Sequence, residues 1–503
     1  VVVVAIIWTK AILELSGLRL SMVSSILNSL VTVVGIAIVT HVMLHYREER
    51  REHPRIESLR RTFIILTPPV FWDVVTTMAG FGALLSSHTT PVQSFGTMMA
   101  LGSLMVFFSS AFVLPGGILL GGLAADPGAA PAEDHLVGFL GSITGWVERH
   151  PVLLTGATLA LTVVVGLGFQ RLEVETDFSK NFRASSPVVQ ALNFVETRLG
   201  GSGTWEVNFP APKELTPEYL ACVRRLADRL RSIGRDGGPE VTKAVAITDL
   251  VDLMPGELEE TDDVSQKLDQ IRSIQPEFEP SLYNSDERRM RIILRARERQ
   301  PSATKLELIR TVEQYASEEF PGAKTTGIFV LLTYIIESLL GDQVTNSIVA
   351  AASMTTIMTL AFRSFRIGLI SLVPNFFPIF FVVGGMAWLG FKINIGTAMI
   401  ASVSMGLTVD ASIHYLAHYQ RLRKTGLGFS DALRETHRGV GLALVFSTFA
   451  LIIGFTVLTL SHFIPLIYFG VLVSLAMLGG LVGNLLLLPL LLHWVERGNN
   501  RKK

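Results

Sequence analysis

Nine apolar stretches long enough to cross a bilayer recur along this chain, and they limit its fold more than any other feature. A hydrocarbon core takes roughly 20 largely apolar residues per helix. Leu20–Leu44, Phe63–Leu85, Pro91–Leu123, Pro151–Phe169, Leu340–Phe362, Ile367–Leu389, Ile393–Ala417, Val440–Leu460 and Ile464–Val495 satisfy that length, and Val1–Leu15 reads as part of another. Composition agrees: 49% of residues are hydrophobic and 17% charged, a balance that an ordinary soluble core would not hide. Basic and acidic residues number 43 each, which points away from nucleic acid as a partner. The single cysteine, Cys222, excludes an internal disulfide framework and a cysteine metal cluster.

Basic residues are retained on the cytoplasmic side during insertion, so their distribution orients the helices. YREERREHPRIESLRR, RSFR, YQRLRKTGLGFSDALRETHR and ERGNNRKK are basic-rich, whereas the alternate loops carry one basic residue, Arg19 or Lys392, or none. The alternation places residues 170–338 outside. Their patterning is mixed: TWEVNF, VTKAVAI, RMRIILRA and KTTGIFV read as strands, and Pro217–Ile233, Asp263–Ile274 and Ser302–Phe320 as amphipathic helices. The expected fold class is an all-α polytopic membrane domain with one α/β extracytoplasmic domain. Residues 124–150 form a cytoplasmic Pro/Ala linker followed by a helix, His135–Glu148, that is either an ordinary linker helix or one lying on the membrane surface. Residues 496–503 are a basic cytoplasmic tail.

The membrane part repeats. Ser29–Tyr46 lies over Ser402–Tyr419 without a gap, placing His41 on His414, His45 on His418 and Tyr46 on Tyr419. After a one-residue shift, Gly80-Phe81 meets Gly454-Phe455, Phe95-Gly96 meets Phe469-Gly470, and Pro115 meets Pro489. Both copies have the same loop polarity, so the repeat is parallel. Residues 1–123 are then the end of a first membrane repeat, 151–169 the first helix of a second, and 339–495 its remaining five helices. On this reading Val1 lies inside a helix, and roughly 220 residues precede it in the intact protein.

GLTVDASIHYLAHY, STFALIIGF and SHFIPLIYFGVLVSLAMLGGLVGNLLLLPLLL resemble the second membrane half of the mycobacterial-membrane-protein-large (MMPL) family of the resistance–nodulation–division (RND) superfamily. GIAIVTHVMLHYREER and TTPVQSFGTMMALGSLMVFFSSAFVLPG resemble its first half. The resemblance implies twelve helices, an external porter-like domain in each half, a multi-pass location in the cell (inner) membrane, and proton-driven export of lipidic or hydrophobic cargo. A periplasmic adaptor or a second copy of the chain fits the same pattern. The family also carries Gly-x-x-x-Asp-Tyr in each half. Here the second half keeps Gly406 and Asp410 but has Ala411 for the Tyr, and the first half has Ala37 and Ile38 at the matching positions.

Four side chains are candidates for a proton relay. Asp410 is an acid inside a span, which by insertion scales costs about 2.5–3.5 kcal/mol at a helix centre and so points to function. His414 follows at i+4 on the same helix face. His41 is its repeat partner and would face Asp410 across the helix pair, although a packing role is open to it. Asp73 either replaces the missing acid or snorkels to the interface, the second being preferred. Thr408, Ser447 and Thr448 offer hydroxyls to the same path, and Pro374, Asn375 and Pro378 a kink. No phosphate loop, His-Glu-x-x-His or Gly-x-Ser-x-Gly occurs. No enzyme activity and no cofactor is expected, and transport would draw on an ion gradient. Two other readings stay open: a non-transporting, sterol-sensing-like lipid receptor, and a Sec-type accessory to protein translocation.

Overall fold

The computed structural model describes residues 1–17, 26–120, 133–175, 177–234, 240–254 and 261–500. The expected Pro/Ala linker lies largely outside them, and so do the last three residues of the basic tail. The chain divides into two compact units, one of Val1–Glu173 with Leu339–Lys503 and one of Val174–Ser338.

The first unit is helical. Its long helices are α1 (Val2–Leu15), α2 (Leu27–Arg50), α3 (Arg55–Gly82), α4 (Thr90–Leu120), α5 (Glu133–Arg149), α6 (Pro151–Gly166), α7 (Ile328–Phe362, of which Leu339 onward belongs to this unit), α8 (Phe365–Trp388), α9 (Ile400–Lys424), α10 (Leu442–Thr456), α11 (Ile464–Val482) and α12 (Leu488–Asn500). Eight helical stretches among the described residues are long and apolar enough to span a membrane. The stretch expected at Ile393–Ala417 is not among them, because α9 carries Asp410, two histidines and four serine or threonine residues along its length. It is the most enclosed helix instead, with nearly every residue from Ile400 to Val409 buried. By contrast, α6 exposes Leu153, Leu159 and Val163, as a lipid-facing helix does.

Small residues set the helix approaches. A Cβ on Gly80 of α3 would meet the Gly406 Cα of α9 at 2.6 Å, and one on Gly454 of α10 would meet Val33 of α2 at 2.3 Å. A Cβ on Gly96 would meet the Phe81 carbonyl at 2.5 Å, and one on Gly470 the Phe455 carbonyl at 2.6 Å. Helix α5 buries Leu140, Thr144 and Val147 against the bundle while Phe139 and Trp146 stay exposed. Glu148 accepts a hydrogen bond from Ser430 and pairs with Arg434 at 3.1 Å, which fixes this helix as part of the bundle.

The second unit holds one antiparallel sheet of β1 (Gly203–Pro210), β2 (Val241–Val245), β3 (Tyr283–Asn284), β4 (Arg289–Ala296) and β5 (Lys324–Thr326), in the order β2-β4-β1-β5 with β3 also on β4. Alternate residues of β1 and β4 face inward, so Trp205, Val207, Phe209, Ile292 and Leu294 meet Leu308, Ile309 and Val312 of the helix Ser302–Glu319. The stretch KTTGIFV is a strand only as far as Thr326. Gly327 adopts φ +115° and ends it, and a helix begins at Ile328.

Candidate functional site

The four candidate residues all lie on three neighbouring helices of the membrane unit. α2 supplies His41, α3 supplies Asp73, and α9 supplies Asp410 and His414; His41, Asp73 and His414 are each 5% exposed. The Gly80–Gly406 approach brings α3 against α9 closely enough for Thr77 Oγ1 to donate to the Gly406 carbonyl at 3.0 Å. Thr77 also lies 3.4 Å from Asp73 Oδ1, and Asp73 and Asp410 are near enough for their carboxylates to interact electrostatically. Asp73 is therefore enclosed beneath α9 and does not snorkel to an interface.

Two imidazoles hold Asp410. His414 Nε2 lies 3.1 Å from Oδ1, as the i+4 spacing expects, and His41 Nε2 lies 3.7 Å from Oδ2. The His41 and His414 rings stack with centroids 4.3 Å apart and planes within 2°. This places one imidazole from α2 and one from α9 beside a single carboxylate. The ligand atoms of His41, Asp410 and His414 lie within 4.8 Å of one another, a spacing that a shared proton or a metal ion can bridge. The side chains that pair with Asp410 are two imidazoles, each able to carry or release a proton.

Behind α9 runs a polar chain that the sequence reading did not assemble. Asn375 donates to Ser412 Oγ at 2.8 Å, Ser412 donates to Asn484 at 2.5 Å, and Asn484 donates to the Gly480 carbonyl at 2.9 Å. Asn484 stands in a π-helical turn, Gly483–Leu487, and a second such turn lies at His437–Gly441. These turns interrupt regular helix bonding, a feature frequent at functional positions. An Asn within GGLVGNLLLL was the available signal for the first of them. Thr408 is buried within this neighbourhood, whereas Ser447 bonds its own helix at the Leu444 carbonyl.

A bundle of spanning helices, an acid held between imidazoles inside it, and a small antiparallel domain define a polytopic membrane protein of the transporter type. The model of the MMPL family matches residues 230–502, more than half of the chain. The chain belongs to the MMPL family, within the RND superfamily. A protein of Methanocaldococcus jannaschii whose name assigns it to the membrane is 23% identical over 374 residues, covering 71% of this chain and 94% of that protein. The crystal structure of SecDF, a translocon-associated membrane protein from Thermus thermophilus, matches with a TM-score of 0.60 at 15% identity. That match covers 98% of this chain but 58% of the SecDF chain, and it concerns the fold.

Proposed function

We propose that the chain is part of a proton-driven exporter of lipid-like or hydrophobic molecules, with Asp410 as the proton carrier and His41, His414 and Asp73 as its partners. The observation that carries this reading is the enclosed carboxylate of Asp410, paired with two imidazoles rather than with a permanent cation. A carboxylate in such a setting is stable protonated or imidazole-paired, so a change of access from one membrane face to the other would move a proton.

A parallel duplication of residues 1–123 in the segments 151–169 and 339–495 fits the packing. Under the sequence register Gly80 matches Gly454 and Gly406 matches Val33, and in both pairs a Cβ on the first glycine would collide with the residue opposite, Gly406 across α3–α9 and Val33 across α10–α2. The edge-on pairs Phe81–Phe95 and Phe455–Phe469, 6.1 and 6.2 Å apart, match in the same way. Residues 170–338 would then be the external porter-like domain of the second copy, and the membrane the cytoplasmic (inner) one.

A hydrophobic cargo is favoured by two apolar cavities in the membrane unit, of about 770 and 540 Å³, which share Leu372, Phe376 and Phe380 of α8. Both exceed the lower bound for small-molecule pockets and suit an acyl chain. The test is Asp410→Asn in the full-length protein, which keeps shape and hydrogen bonding but cannot titrate. Export of a fluorescent lipid from proteoliposomes under a proton gradient is expected to stop while insertion and folding persist. Normal export by the variant would refute the carrier role and favour a relay built on Asp73.

A further inference from the structure

The relay carboxylate and its two stacked imidazoles adjoin a cavity of about 280 Å³, lined by His41, His45, Glu48, His414, His418 and Arg421. Four of these six are histidines, and the repeat register pairs them: His41 with His414, and His45 with His418 one helical turn further toward the basic loop after α2. His41 Nε2, His45 Nε2 and His418 Nδ1 are buried without a hydrogen-bond partner. A buried imidazole nitrogen without a hydrogen bond is destabilising, and two of these three have only a carboxylate at 3.7 or 3.9 Å, so their grouping around one cavity needs a reason beyond packing. A single apolar side chain at 45 or 418 would close the helix contact without that penalty.

Resting on the proton-carrier reading above, we infer that His45 and His418 form the second stage of the proton path, receiving protons from the Asp410 cluster through this cavity and passing them to Glu48 and Glu49 at the end of α2. The two imidazole pairs line one cavity, and each pair has a carboxylate beside it. Asp410 is 3.1 Å from His414 and 3.7 Å from His41; His45 Nδ1 is 3.4 Å from Glu48 and its Nε2 is 3.9 Å from Glu49. Glu49 also stands 3.5 Å from His53 at the loop.

The transfer changes only O–H and N–H bonds. The Asp410 carboxyl gives its proton to an imidazole nitrogen, and that ring releases one from its other nitrogen. Water in the cavity accepts that proton and gives one of its own to a nitrogen of the second pair; the pair repeats the exchange, and a glutamate carboxylate accepts the proton and returns it to solvent. An imidazole suits each stage because one ring nitrogen can accept a proton while the other donates one. Arg421 is the one fixed cation in the cavity wall. Leu66 and Pro69 of α3 and Val440 and Ala443 near the start of α10 complete the wall and bring no titratable group.

The test uses the full-length protein in proteoliposomes with an entrapped pH-sensitive dye, comparing wild type, Asp410→Asn, the double variant His45→Ala/His418→Ala, and its glutamine counterpart. Both double variants are expected to fold as wild type by size-exclusion profile and to lose proton flux by about tenfold or more. Millimolar imidazole, small enough for the space the alanines open, is expected to restore flux in the alanine variant and to leave Asp410→Asn inactive. Wild-type flux in a double variant, with Asp410→Asn inactive, would overturn this path and leave the carrier role standing. Loss that imidazole does not restore in the alanine variant would also overturn it, since a structural role would behave so. Flux through Asp410→Asn would overturn the carrier reading itself.

Discussion

Gly80→Ala is the substitution whose effect the packing sets most tightly. The added Cβ would sit 2.6 Å from the Gly406 Cα and 3.0 Å from its nitrogen, where ordinary contact begins at 3.4 Å, so α3 and α9 must part by about 0.8 Å (3.4 − 2.6). Backbone lies on both sides of the contact, so no rotamer change relieves it. Overpacking of this kind costs about 1–3 kcal/mol. The separation also strains the Thr77 hydrogen bond to Gly406, a further ~1 kcal/mol, against a gain of up to ~1 kcal/mol in helix propensity. The net loss is about 1–3 kcal/mol, or several degrees of melting temperature at about 2–4 °C per kcal/mol. Gly406→Ala is the internal control, because its Cβ meets Gly80 at 3.4 Å and the Thr77 carbonyl at 3.5 Å, both ordinary contacts. Thermal melting of the purified protein in nanodiscs should therefore show Gly80→Ala well below wild type and Gly406→Ala level with it or above. Equal loss from both, or none from Gly80→Ala, would refute the close-approach argument. Export should fall in the same order, since the spacing of α3 and α9 sets the distance from Asp73 to Asp410.

Asp73→Asn should slow proton-coupled export less than Asp410→Asn does, because Asp73 lacks an imidazole partner; equal loss in the liposome assay would make the two acids one unit. Lys305 is 1% exposed and pairs with Glu298 at 2.6 Å, so Lys305→Met leaves a partly buried carboxylate without this partner and should lower protection of β4 in hydrogen exchange by about 1–3 kcal/mol at neutral pH. Burial already holds the Glu298 carboxyl above its usual range, outweighing Lys305. A carboxyl raised in the folded state stabilises in acid and loses that contribution as pH rises through the ordinary carboxylate value to the raised one. The Lys305→Met deficit should accordingly shrink toward pH values in the raised range, and a deficit independent of pH would count against this account. Cys222, the sole thiol and half-buried, should react with a membrane-impermeant maleimide from the outside of intact spheroplasts; reaction only after the membrane is opened would reverse the proposed orientation.

Local chemistry was enough to read much of this protein. Apolar length set the spanning helices, period-two alternation set β1 and β4, and an acid within α9, with histidine at i+4, marked the site before any contact was known. These signals are carried by neighbours in the chain, where geometry is fixed by the helix or the pleat. The tertiary structure decided what lies across from them. Thr77 reaches Gly406 over 329 residues of sequence, Asp73 is enclosed rather than snorkelled, and His41 stacks on His414 only because two helices cross there. Likewise the chain from Asn375 through Ser412 to Asn484 joins three helices, and only their packing brings these polar residues together. A side chain's place on its own helix follows from the 3.6-residue period, but its partner follows from how glycines let backbones approach, and that depends on every helix in the bundle at once.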